Sequence, residues 1–142
     1  MRYQDMDPLD VVFSLVDDKT GKTTHINVTA LAKSWKTKAR PIVTIEVEPA
    51  IAEYFVQKRG IEQHRVDRLM GEEIKEPLLL LHWIDGSHLL VDGHHRYVAA
   101  SLKGQTELKA RLVPKSVWSK YVIVDLPAER SDRMTKGFSG IL

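Results

Sequence analysis

The sequence predicts an α+β domain: a small mixed sheet with helices packed around it, extended by an N-terminal β-hairpin. Three observations predict it. Apolar runs of strand length alternate with segments of helical spacing. Strand-like runs face each other across turn residues near both ends of the first hundred positions. Leu89-Leu90-Val91 runs through Asp92-Gly93 straight into a helical pattern, and this strand–turn–helix junction organises the chain.

In order, Met1 to Asp10 is polar and reads as a frayed lead-in. Val11 to Val16 reads as a strand, Asp17 to Lys22 as a turn and Thr23 to Val28 as the antiparallel partner. Thr29 is placed to cap a short helix through Trp35. Lys33, Lys36, Lys38 and Arg40 surround Trp35; a solvated helix face and loop is the simpler reading, contact with nucleic acid the alternative. Ile42 to Val47 alternates and is β-branched, hence a strand. Pro49 suits a first helical position, Ala50 to Lys58 is helical, and Gly60 ends the helix. Ile61 to Met70 is polar, helical or irregular; on a helix Arg65 and Arg68 share a face.

Leu78 to Ile84 is apolar at consecutive positions, the pattern of a central strand covered on both faces. Asp85-Gly86-Ser87 is a tight turn, and His88 to Val91 returns antiparallel. His82 and His88 flank this hairpin as partly buried strand histidines rather than metal ligands. His95 to Lys103 reads as a helix closed by Gly104. Glu107 to Val113 alternates polar and apolar, a strand with one wet face; Ser116 is placed to cap a last helix from Val117 to Val122. One domain is expected over residues 1–127, with its core at about 41–124, followed by a mobile tail over 128–142 that is a candidate docking segment for a protein partner.

The chain has no cysteine, which excludes disulfides and thiol catalysis. A net charge of +2 does not by itself argue for a nucleic-acid partner. The longest apolar run, Leu78 to Leu81, is far short of a membrane span, and the polar start has no signal-peptide pattern. A cytoplasmic protein without a membrane partner is the expectation.

The chemistry concentrates in Asp92-Gly93-His94-His95-Arg96. A strand, a glycine turn and a helix N-terminus present unpaired N–H groups and partial positive charge to an anion. Arg96 adds a planar fork for phosphate oxygens; Arg65 and Arg68 suit a second clamp, with surface arginines the simpler reading. His94 and His95 add donors, or one base and one donor. Asp92 adds a carboxylate able to hold a metal ion or accept a proton. A plain β-turn-α junction with solvated histidines is the bland alternative.

Asp-Gly-His-His-Arg-Tyr-x-Ala-Ala after an apolar strand resembles the ParB/sulfiredoxin superfamily, best between Arg68 and Val113. ParB-type proteins carry Gly-Glu-Arg-Arg here, sulfiredoxins Gly-Cys-His-Arg-Tyr, and ADP-dependent free-serine kinases a similar Asp-Gly-His-His-Arg run. The resemblance implies the fold of that superfamily and a nucleotide ligand: ATP, ADP or CTP, with Mg²⁺. It implies catalytic roles for Asp92, His94 and His95, and nucleotide contacts from Gly93, His94, His95 and Arg96. It also implies a metal set of Asp92 with an upstream acid, Glu72 or Glu73. The implied activity is hydrolysis or transfer of a nucleotide phosphoryl group. A ParB-like metal-dependent nuclease acting on DNA, or a non-catalytic nucleotide-sensing module, are the alternatives. His94 stands where sulfiredoxins have their cysteine, so peroxiredoxin repair by a thiol is excluded.

Overall fold

A computed structural model describes residues 1–17 and 19–128 together with the backbone of Thr135–Gly137. Strand β1 (Val12–Val16) pairs antiparallel with β2 (Thr23–Asn27). Helices α1 (Val28–Lys33) and α2 (Trp35–Lys38) follow. Next come β3 (Ile42–Glu46), α3 (Pro49–Lys58) and α4 (Gln63–Met70). The hairpin β4 (Leu78–His82) and β5 (His88–Asp92) leads into α5 (His94–Leu102). Strand β6 (Glu107–Val113), α6 (Lys115–Trp118) and a 3-10 turn (Ser119–Tyr121) complete the main body. Strand β7 (Thr135–Gly137) runs parallel to β1. The expected mobile tail over 128–142 falls mostly outside the described residues.

The main sheet has the order β3-β6-β4-β5 and is mixed: β4 runs parallel to β6, the other pairs antiparallel. The inner strand β4 explains its own sequence. Leu79 and Leu81 face a core shared with Phe13, Leu15 and Ile26 of the hairpin sheet and with Trp118. Leu78 and Leu80 face the opposite core, against Phe55, Val66 and Tyr97 of α3, α4 and α5. Four consecutive leucines are buried because both faces of the strand are covered. The result is three layers: the hairpin sheet, the mixed sheet, and α3–α5. Tyr97 locks α5 across the sheet edge. Its hydroxyl accepts from the Glu48 N–H at 2.8 Å and donates to the Glu46 carbonyl at 3.2 Å.

Several local expectations are corrected. The α1 cap is Asn27, not Thr29: the Asn27 side chain accepts from the Ala30 N–H, while the Thr29 hydroxyl accepts from the Val11 N–H. Helix α1 stops before Trp35, because Ser34 is extended. The last helix begins after Pro114 rather than at Ser116. His82 is exposed rather than partly buried, lying at the strand end. The lead-in is pinned, not frayed. The Met1 amino group donates to the Val122 carbonyl, and Arg2 pairs with Asp125 at 3.1 Å.

Asn27 is fully buried and also donates to the Asp10 carboxylate at 2.8 Å. Asn27→Ala strips the cap and removes that donor, so it is expected to cost about 2 kcal/mol. A lower urea midpoint at unchanged slope is the check.

Candidate functional site: a cationic cavity at the start of α5

Gly93 adopts φ +113°, ψ 19°, the conformation that lets β5 turn directly into α5. The turn is also tight in space: a Cβ at Gly93 would lie 2.7 Å from Leu78 Cγ and 3.2 Å from Arg96 Nη2. The first amides of α5 have no carbonyl within the helix to bond, and Gly93 offers no side-chain cap. The residues that carry them line a cavity of about 470 Å³.

That cavity gathers residues far apart in sequence. Asp92, Gly93, His94, His95 and Arg96 line it from the junction, and Arg65 and Arg68 from α4. Val11, Val12, Phe13, Val28 and Ala32 form an apolar wall contributed by the hairpin layer and α1. The junction and the α4 arginines are thus brought together as the sequence suggested. Arg59 and Glu62 were not foreseen. Arg59 ends α3, is 4% exposed, and holds its guanidinium 5.2 Å from the Phe13 ring centroid. Burial lowers its pKa to about 10, so it stays charged at neutral pH. A Lys-Arg pair before a glycine reads as an ordinary basic helix end; the tertiary approach of Phe13 to Arg59 is not visible in it. The cavity lining therefore sets Arg59, Arg65, Arg68 and Arg96 against the carboxylates of Asp92 and Glu62.

The individual roles depart from expectation. Arg96 does not present its fork to the cavity. Its Nη1 donates to the Glu76 carbonyl at 2.9 Å and its Nη2 to Asp92 Oδ2 at 3.1 Å. It acts as a clamp that ties the end of β5 to the start of β4, and the charge of Asp92 is answered by it. Arg68 lines the cavity and makes no ion pair among the described residues. Arg65 stands 4.0 Å from the Glu62 carboxylate and is half exposed. These two α4 arginines, rather than Arg96, are the available anion donors.

His94 turns inward. It stacks on Phe13 at 6.0 Å and meets the edge of Phe55 at 4.8 Å. Its Nε2 is buried without a hydrogen-bond partner among the described residues. Burial first, then the charge of Arg59, lowers its pKa to about 3. His95 accepts the Glu62 N–H on Nε2 at 3.1 Å, which makes it neutral with the proton on Nδ1. Burial, and secondarily the charge of Arg65, lowers its pKa as well. Neither ring is placed as a free base. Glu72 and Glu73 do not reach the cavity. The Glu72 carbonyl accepts from Lys103 Nζ, and the Glu73 carboxylate lies 3.9 Å from Lys75 Nζ in the turn after α4. Among the described residues no group of three or more His, Asp or Glu is arranged to hold a metal ion. Asp92, the carboxylate expected to hold Mg²⁺, is already paired with the Arg96 guanidinium, so the donor set does not fit a protein-held divalent cation.

A histidine kept neutral by burial makes stability depend on pH. The unfolded ring titrates near its ordinary 6.5, the folded ring near 3, so the unfolded chain binds the proton first as pH falls. The contribution is complete above about pH 7 and is lost downwards from there. Unfolding free energy is expected to be about 2 kcal/mol lower at pH 5 than at pH 7.5 from this group. His94→Phe, which keeps the ring stack, should remove most of that slope in urea titrations.

Among the described residues no helix is long and apolar enough to cross a membrane. Compared with protein-family models, with curated proteins and with solved structures, the chain has no match.

Proposed function

We propose that the protein is a nucleotide-binding module: phosphates sit in the cationic cavity at the start of α5, and the base lies against the apolar wall. The observation that carries this is the convergence of Arg59, Arg65 and Arg68 with the uncapped first turn of α5 on one cavity. Guanidiniums and helix N-terminal amides are the usual protein partners of phosphate oxygens. The cavity volume of about 470 Å³ lies in the range of small-ligand sites, and its mixture of apolar and cationic walls suits a ligand with one face of each kind.

Residues of about 41–124 are, in this proposal, a ParB/sulfiredoxin-like core, on the strength of the strand, Gly93 and helix in the order that superfamily uses. Binding without turnover is the reading the geometry favours. Phosphoryl transfer or hydrolysis needs a positioned nucleophile or base, and a nuclease needs one as well, commonly with metal ions. Asp92 is held by Arg96, His95 by the Glu62 amide, and the His94 ring is turned in against Phe13 and Phe55 with its pKa pushed down to about 3.

A thermal-shift panel of ATP, ADP and CTP, with and without Mg²⁺, tests the proposal. At a hundredfold excess over Kd, binding should stabilise the fold by about 2.7 kcal/mol, a rise of several degrees in Tm. Chromatography of the same mixtures should recover the nucleotide unchanged. No shift with any nucleotide overturns the binding claim. Consumption of nucleotide that stops in His95→Ala overturns the non-catalytic part.

A further inference from the structure

The nucleotide cavity does not absorb the basic segment around Trp35. Trp35 opens α2 with 73% of its surface exposed, unusual for so large an apolar ring. Lys36 Nζ lies 5.8 Å from its ring centroid. Lys120, in the 3-10 turn after α6, reaches Lys36: a side-chain hydrogen bond with it first, and its like charge second, hold the Lys36 pKa below its ordinary value. Lys33 and Lys38 are exposed on the same segment. None of these four lysines has an ion-pair partner among the described residues. Exposed lysines with no carboxylate paired to them are a place for an anion, and the bare indole that Lys36 flanks is a stacking platform.

We propose that Trp35, Lys36 and Lys120, with Lys33 and Lys38, form a binding surface for single-stranded nucleic acid. A base stacks on the indole, and the flanking phosphates lie on the lysines. The chemistry separates this partner from an anionic membrane. Insertion into lipid takes an apolar face of several residues, and α2 is one turn that exposes a single aromatic ring. Stacking beside cations needs only one ring per base and tolerates any sequence.

The test is fluorescence anisotropy of a labelled oligo(dT), with the intrinsic tryptophan emission followed in parallel. Saturable binding at low salt is expected. Trp35→Ala should weaken it about tenfold, and Trp35→Phe should restore part of the loss. Lys36→Gln with Lys120→Gln should lower the slope of log affinity against log salt by about one to two. Because these side chains are exposed, circular dichroism of the variants should match the unaltered protein. Absence of binding at low salt overturns the proposal. So does binding that survives Trp35→Ala, or binding lost in Arg65→Gln alone, which would put the strand in the cavity. Capture by phosphatidylserine vesicles with no affinity for the oligonucleotide overturns it in favour of a lipid surface.

Discussion

Gly93→Ala is expected to lower the unfolding free energy by about 2–5 kcal/mol. Two separate costs add. A side chain disfavours the left-handed conformation at φ +113° by about 1–2 kcal/mol. The new Cβ would also lie 2.7 Å from Leu78 Cγ, inside a buried layer where overpacking costs about 1–3 kcal/mol. Gly104 separates the two. It has φ +77°, and a Cβ added there would meet nothing within 4 Å, so Gly104→Ala should show the conformational cost alone. The Leu78→Ala/Gly93→Ala double variant should be more stable than the sum of its singles by about 1 kcal/mol or more. Urea titrations of the four variants measure all three quantities. A Gly93→Ala protein as stable as Gly104→Ala would mean that Leu78 does not press on the turn.

The second large effect is on binding. Arg65→Gln with Arg68→Gln should weaken nucleotide affinity about 100-fold, or about 2.7 kcal/mol, by isothermal titration. Both side chains are at the solvent edge of the cavity, so the fold should be indifferent to the change. The contrast is Arg96→Gln. Its guanidinium serves Asp92 and the Glu76 and Pro77 carbonyls, so its loss should appear as reduced stability more than as a direct loss of a phosphate contact. A double α4 variant that binds as the unaltered protein does would remove the arginines from the site.

This division of labour among the arginines was not readable from the chain. The local elements were: four apolar positions in a row announce a strand covered on both sides, and Asp-Gly before a helical pattern announces the junction at Gly93. Both depend on neighbours a few residues away. The roles of Arg96, Arg59 and His94 depend on what packs against them from elsewhere. Arg96 meets Glu76 and Pro77 from the start of β4, Arg59 lies under Phe13 of β1, and His94 enters the space between Phe13 and Phe55. A run of polar residues looks alike in sequence whether its members face solvent or core. Glu72 and Glu73 illustrate the converse. They sit close in sequence to the α4 arginines, but the turn after α4 carries them away from the cavity.

Contact between a nucleotide's phosphates and the open amides of α5 is the claim on which the rest depends. Titrating the ¹⁵N-labelled protein with ADP and following backbone amide shifts reads that contact directly. The largest changes are expected at His94, His95 and Arg96, with the side-chain signals of Arg65 and Arg68 moving at the same ligand concentration. Saturable ADP binding that leaves those amides unmoved and shifts residues elsewhere would contradict it.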